Sequence, residues 1–423
     1  MDSFLERAKP VVRGLAVLVM LAGTAIAQDG GIAPQPAGAT SETPCNCNCG
    51  QQPESRQCGV PQVNLAISPE DWPPVCQQCD PCDPLQSCCP NQDELYIIPP
   101  RPRLYVVSEL GAIRRNPTHN IDFASLGSLL TGTVSPAPVV LSTGDLNYDF
   151  TAAGRLVVGH AIDECLQIEG VYFGVTEGDN TATVRDNTPN VHGGFGNLFS
   201  PFGGFGSTPI LGLDFNNLAQ IHYTSSLYGA ELNIRRKLPT SPSKLTTSIL
   251  FGVRYTGLPE SFDYDTNSDI TKAGTVMTNG SLNSIHVATT NEMVGPQIGA
   301  LFEFYGENRW WVNVEMKAAI MNNRSTQSTT YTNVNNGTTT VYSGNLREDH
   351  TAFAEELAVS AVYRWSPHFT TQIGYKALWM QNLALAPDNL NTDIDILTTG
   401  PAQLNHASST VYHGPYAGIM LGW

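Results

Sequence analysis

The sequence predicts an all-β protein, a transmembrane antiparallel β-barrel of about ten strands, in a range of roughly 8–12. Three observations carry this reading. An N-terminal secretion signal takes the chain out of the cytoplasm. Segments of period-two hydrophobicity recur from Leu104 to the C-terminus. The connections between them alternate between long and short.

The chain opens with a basic leader of Arg7, Lys9 and Arg13. An apolar stretch from Gly14 to Ala27 follows, ending in Ala25-Ile26-Ala27, a small-residue cleavage site before Gln28. This stretch is too short for a spanning helix with proper flanks, and no Cys follows it for lipid attachment. Residues 1–27 are read as a signal peptide. No run of about twenty apolar residues occurs elsewhere to mark a spanning helix. The formal charge of −16 and pI of about 4.9 disfavour nucleic acid, whose binding needs clustered Lys and Arg.

Residues 28–100 hold nine of the ten cysteines: Cys45, Cys47, Cys49, Cys58, Cys76, Cys79, Cys82, Cys88 and Cys89. Proline is dense here and long apolar side chains are few, so no core can form and a disordered linker is expected. The run Cys76, Cys79, Cys82 has metal-ligand spacing. The oxidising compartment, the lack of a nearby His and the adjacent Cys88-Cys89 pair favour disulfides instead, within the segment or between molecules. Cys165 makes the cysteine total even. No metal or cofactor is expected.

The barrel is expected over residues 101–423. Its first strand is Leu104 to Ile113. Arg155 to His160 and Leu166 to Val175 follow, joined through Asp163-Glu164. In Tyr228 to Arg235, Tyr228, Ala230, Leu232 and Ile234 share one face, and Gly229, Glu231, Asn233 and Arg235 the other. Leu245 to Tyr255 sends Ile249, Phe251, Val253 and Tyr255 outward and Arg254 inward. Asn291 to Phe304 sends Val294, Ile298, Phe302 and Phe304 outward and Glu303 inward. Trp310 to Met321 sends Trp310, Val312, Val314, Met316, Ala318 and Ile320 outward, against Asn313, Glu315 and Lys317. Leu357 to Arg364 and Phe369 to Trp379 come next. Val411 to Trp423 closes the set, with Ala417, Ile419, Leu421 and Trp423 on its greasy face.

Long connections are expected at 114–145, 176–218, 259–288, 322–351 and 380–409. Short ones fall at Asp163-Glu164, Leu238 to Ser243, Gly306 to Asn308 and Ser366 to His368. Such alternation matches outer-membrane barrels, with long extracellular loops and short periplasmic turns, and leaves the cysteine-rich linker in the periplasm. A soluble sandwich gives no reason for it. In lipid every backbone polar group must be paired inside the protein, so the sheet must close on itself. Trp310, Tyr255, Tyr363, Trp379 and Trp423 stand at strand ends, where aromatic girdles belong.

Several stretches, in order, carry a family resemblance. They are GDLNYDFTAAGRLVVGHAIDECLQIEGVYF, LYGAELNIRRKL, SILFGVRYTGLPESF, NEMVGPQIGALFEF and SPHFTTQIGYKALWMQNL. On these the chain resembles the outer-membrane β-barrel porin family labelled BBP, type seven, over roughly Leu104 to Trp423. The resemblance implies a barrel and a porin, and supplies no catalytic residue.

Other motifs fail. Asp263, Asp265 and Asn267 alternate as in a calcium loop, but Ser268 and Gly274 stand where Gly and Glu are required. No G-x-S-x-G, H-E-x-x-H or P-loop occurs, so no enzyme is expected. The expected function is a porin-like channel for small solutes, with Glu231, Arg235, Arg254, Glu303, Glu315 and Lys317 in the lumen. About ten strands is close to the size at which side chains fill a barrel. The alternative is therefore a structural or surface-exposed envelope protein without an open pore, cross-linked through its cysteines. Expected partners are outer-membrane lipid, the barrel assembly machinery, which the terminal aromatic suits, and disulfide-linked envelope proteins.

Overall fold

The computed structural model describes residues 103–116, 120–127, 138–186, 196–210, 212–238, 244–268, 281–306, 309–335, 337–400 and 403–423. The signal segment and the cysteine-rich linker lie outside the described residues. The chain divides into two units, residues 1–100 with 239–244 and residues 101–238 with 245–423. Apart from Lys244, every described residue belongs to the second.

That unit is a closed antiparallel barrel of ten strands. In chain order its β-elements are β1 (Leu104–Asn116), β2 (Asp122–Leu126), β3 (Val139–Ser142), β4 (Thr151–Ala161), β5 (Leu166–Arg185), β6 (Leu198–Phe199) and β7 (Leu218–Lys237). They continue with β8 (Leu245–Asn267), β9 (Ser281–Tyr305), β10 (Trp310–Asn335), β11 (Thr338–Ser366), β12 (Phe369–Leu383) and β13 (Ser408–Gly422). The ring runs β1-β13-β12-β11-β10-β9-β8-β7-β5-β4 and returns to β1. First and last strands pair as closure requires, Tyr105 opposite Gly422 and Asn116 opposite Val411. Leu104 and Trp423 extend the ladder by exchanging both backbone hydrogen bonds, at 3.1 and 2.8 Å.

Side-chain alternation sorts two environments. Leu232, Ile234, Phe251, Val253, Val294, Ile320, Ile373, Ile419 and Leu421 all point outward and are exposed. A water-soluble surface does not carry a continuous greasy belt of this kind, whereas a lipid-facing one requires it. Trp310, Tyr363, Trp365 and Trp423 rim the belt at the end with short turns. Tyr172, Tyr228 and Tyr375 rim it at the other. Glycine serves the belt at Gly257, where a side chain would collide with the Tyr228 ring laid across it.

Three of the expected long connections are shorter than the sequence suggests. β5 continues to Arg185, β8 to Asn267 and β10 to Asn335, while β9 begins at Ser281 and β11 at Thr338. Nearly all of 322–351, more than half of 259–288 and the first ten residues of 176–218 are strand continuing past the belt. The continuations are rich in Thr, Ser and Asn and pair with their neighbours, as Thr326 does with Arg347 and Thr332 with Val341. Most of their outward residues are polar, as Asn322, Arg324 and Ser328 are, with Leu282 and Val341 the exposed apolar exceptions among those described, so the regular apolar alternation ends where the greasy surroundings end. β-branched Thr suits the pleated surface without it. Asp263, Asp265 and Asn267 are consequently strand residues of β8, not a polar loop.

The remaining connections fold into the mouth of the barrel. β2, β3 and β6 form a small three-stranded sheet. Its Phe123, Leu141 and Leu198 join Leu213 and the inward Ile221, Tyr264, Ile285 and Val287 in one buried cluster. Asp214 holds the loop beneath, accepting from the Ser200 and Ile210 amides at 2.6 and 2.7 Å.

Residues 382–390 make an inward strap. Asn382 adopts a positive φ of 58°, a conformation Asn tolerates, and the chain turns into the interior. Ala384 and Ala386 are fully buried. Ala384 exchanges hydrogen bonds with the Asn291 amide group at 2.9 and 2.8 Å, and the Ala386 amide donates to Glu260 Oε2 at 3.0 Å. A short helix α1 (Ile394–Thr399), capped by Asp393, follows before the chain returns to β13.

Candidate functional site

The interior at the level of the belt is polar and charged, and every barrel strand contributes to it. Inward parity of β5 and β7 brings Glu169 and Arg235 together, with Arg235 Nε and Nη2 donating to the two carboxylate oxygens at 2.8 and 3.0 Å. This fork is a fixed bidentate geometry. The same Nη2 reaches Glu315 Oε1 on β10 at 2.7 Å, crossing the lumen. Tyr105 on β1 donates to Glu169 at 2.5 Å.

A second knot centres on Glu231. Lys317 Nζ donates to its Oε2 at 3.1 Å, Gln297 at 3.0 Å and Asn233 at 3.0 Å. Arg254 Nη2 stands 3.3 Å from Glu231 Oε1 and 2.6 Å from Glu356 Oε2 on β11. A third knot is Glu109 on β1. It accepts from Arg155 at 2.9 Å, Gln372 at 2.9 Å and Lys376 at 2.6 Å. Lys376 Nζ also lies 4.1 Å from the centroid of the Tyr416 ring on β13.

The three knots contain five carboxylates (Glu109, Glu169, Glu231, Glu315, Glu356) and five cations (Arg155, Arg235, Arg254, Lys317, Lys376). The layer is thus internally neutral. A buried charge is tolerated only when paired and hydrogen-bonded, and this layer meets that condition almost throughout. Above it, toward the long connections, Leu227, Leu258, Met293, Met321, Leu378 and Met380 form an apolar layer. Above that again, Arg115 pairs with Glu260 at 2.8 Å, and the strap closes over them.

The charge layer and the apolar layer border a small cavity of about 60 Å³. Glu109, Arg155, Glu231, Arg254, Glu356 and Lys376 line it on one side, and Ile113, Phe173, Val175, Leu227 and Leu378 on the other. Among the described residues no group of three His, Cys, Asp or Glu is arranged to hold a metal ion.

Of the six lumen candidates, Glu231, Arg235, Arg254, Glu315 and Lys317 meet in this layer. Glu303 is buried, with the inward parity of Gln297. The sequence reading missed Glu109, Arg155, Glu169, Glu356 and Lys376. Strict alternation from Tyr105 would have found Glu109. Glu356 is harder, because Glu355 beside it offers an equal choice. Nine cysteine candidates lie outside the described residues. Cys165 sits in the β4–β5 turn, its amide donating to Asp163 and its carbonyl accepting from Lys237, at 2.7 and 2.8 Å.

Solved structures of outer-membrane barrels are similar in outline. The outer membrane protease OmpT from Escherichia coli is 11% identical, with 78% of this chain and 99% of that chain covered and a TM-score of 0.36. Neisserial surface protein A is 8% identical, with 76% and 97% covered and a TM-score of 0.25. The monoaromatic hydrocarbon channel CymD is 9% identical, with 76% and 89% covered and a TM-score of 0.28. Likenesses of this size carry no argument about activity. No curated protein matches the chain. The family described as "Putative beta barrel porin-7 (BBP7)" matches residues 127–414, from the first long connection into β13. The chain belongs to that family of outer-membrane β-barrel proteins.

Proposed function

We propose that the protein is a sealed outer-membrane barrel, a structural or surface-exposed envelope protein whose lumen is not an open pore. One observation carries this reading: a neutral layer of five carboxylates and five cations fills the lumen, with an apolar layer and an inward strap above it. An open aqueous channel leaves charged side chains hydrated, whereas Lys317 and Glu231 are each 1% exposed. We assign the chain no catalytic role. On this reading the long connections face the outside of the cell and the cysteine-rich linker lies in the periplasm, free to form disulfides with envelope partners.

Planar-bilayer recording of the purified protein tests the sealed reading. It expects no steady conductance, and a stable ohmic conductance overturns it. Protease added to whole cells tests the orientation. Cleavage within 186–217 with the linker intact supports it, and cleavage confined to the linker reverses it.

The cavity favours a second reading, a porin-like channel for small solutes. Empty space next to the charge layer is where a solute in transit would pause. Solute-dependent swelling of vesicles containing the protein distinguishes this from a permanent seal.

A further inference from the structure

We infer that the upper arm of β11, Thr338 to Leu346, is a pairing edge for a second copy of this chain, which joins it outside the membrane as one continued sheet. Such pairing stands whether or not the lumen conducts.

The edge is open. β11 pairs with β10 from Thr338 opposite Asn335 down to Tyr363 opposite Trp310, with no break in register. Its other side meets β12 only from Phe353, opposite Gln381. Above that point the second row of backbone amides and carbonyls has no strand beside it among the described residues. Helix α1 approaches β10 as well as β11, so it covers their inner face and not this edge. His406 stacks on His350, ring centroids 4.2 Å apart, and stands 3.6 Å from Glu348, which closes the lower end. Thr338 to Leu346 remain, with Thr338, Thr339, Thr340, Val341, Ser343 and Asn345 exposed.

The composition of the arm is that of a strand left to pair. An unpaired edge is a template for another strand, and proteins that avoid this use charges, prolines or bulges. The other open edge of the same sheet does so. Above Val175, the last residue that β4 pairs, β5 carries Glu177, Asp179 and Arg185 and a bulge between Val175 and Gly178. Thr338 to Leu346 has none of these devices, having no charge, no proline and an unbroken register. Thr338 to Val341 are four β-branched residues in succession, which suits extended backbone.

The membrane selects the partner. Copies in one membrane share orientation and height, so two β11 edges meet in parallel, at one level, about a two-fold axis along the membrane normal. Identical residues then stand side by side, Val341 by Val341 and Asn345 by Asn345. A chain of net charge −16 repels its copies over much of its surface, and this uncharged stretch lets two of them touch without that repulsion. Confinement to one plane raises the effective concentration, so a short edge suffices. Below Phe353 β12 already holds the edge, and the two copies pair only above the belt.

Photo-cross-linking of the purified full-length protein in lipid vesicles, under reducing conditions and with p-benzoylphenylalanine in place of Val341, tests this. Irradiation is expected to give a covalent dimer in which mass spectrometry finds residues 338–346 of one copy joined to residues 338–346 of the other. Ser343→Lys with Asn345→Lys sets like charges opposite each other across the two-fold axis and should lower the yield about fivefold or more. Ser343→Glu with Asn345→Glu should do the same, and carries the test if the lysine variant loses its heat-modifiable migration on gels. An equal mixture of the two variants should recover the yield, because unlike charges then face each other. No dimer product, a cross-link outside residues 338–346, an undiminished yield in a folded charged variant, or no recovery in the mixture each overturns the inference.

Discussion

Lys317 Nζ stands 3.1 Å from Glu231 Oε2 deep inside the barrel, and both side chains are 1% exposed. Lys317 is also 3.7 Å from Glu315 and from Glu356, so one ammonium serves three carboxylates. Removing it strands negative charge that water cannot reach. Lys317→Met should cost about 3–5 kcal/mol of stability, the scale for breaking a buried pair. Adding Glu231→Gln should recover part of that loss. Urea midpoints of the barrel in lipid vesicles measure both, and additive losses in the double variant would contradict the pairing.

Val314 and Asn313 are neighbours on β10 that face opposite ways, Val314 among the outward residues and Asn313 with Glu315 and Lys317. Val314→Arg places a charge in the lipid belt and should cost about 2–4 kcal/mol near the midplane. Asn313→Arg should cost much less. The same unfolding assay decides, and equal tolerance would mean that the register is wrong.

His222 lies on the outward face of β7, six residues beyond Tyr228 and so past the belt. Its two ring nitrogens face Asp179 at 2.9 Å and Asp263 at 3.2 Å. Only the imidazolium carries a hydrogen on both nitrogens, so the arrangement favours the charged form. Burial pulls its pKa down, but the two carboxylates outweigh burial and raise it above the usual 6.5. A raised folded-state value means that the stabilisation is fully present below about pH 6.5 and is lost as pH rises through the raised value. Hydrogen exchange at β7 and β8 amides beyond the belt should therefore quicken between about pH 6 and pH 9 by more than its intrinsic rate change. His222→Gln should abolish that excess.

Closure depends on the chain terminus. β13 pairs with β1 along its length, and Trp423 and Leu104 exchange their backbone hydrogen bonds at its end. Deleting residues 414–423 leaves β1 and β12 with unpaired edges that lipid cannot satisfy. The truncated protein should lose both membrane fractionation and heat-modifiability. Trp423→Asp should impair assembly only in part, because Val106 to Asn116 can still pair. A truncated protein that still shifts on heating would refute the dependence.

Much of the barrel was legible in the sequence because lipid enforces a rule on every residue of the belt. Trp310 to Ile320 alternates cleanly since each outward position meets hydrocarbon and each inward one does not. Past the belt the outward face loses its apolar residues, and Thr338 to Asp349 has few on either face, so it carries no alternation and reads as loop although it is paired throughout with β10. The small sheet of β2, β3 and β6 was illegible for a different reason. Its strands are held by side chains far away in sequence, such as Phe123 against Phe262 and Tyr264, and no local pattern announces that. Within the charge layer, parity sufficed for Glu231, Arg235, Arg254, Glu315 and Lys317. Which partner each one takes, such as Arg235 reaching across to Glu315, depends on the curvature of a closed ring, and period-two patterning does not encode curvature.

The strap at residues 382–390 has a temporal meaning as well as a spatial one. It belongs to the connection between the last two strands, yet it is held by Asn291, 93 residues earlier than Ala384, and by Glu260, 126 residues earlier than Ala386. Neither acceptor is in place until β8 and β9 have been laid side by side, and contacts so distant in sequence are made late because their loop entropy must be met first. Until then the interior is wet. The ten charges can find their partners through water, exchanging freely among alternatives, and the barrel dries only when its final hairpin brings the lid with it.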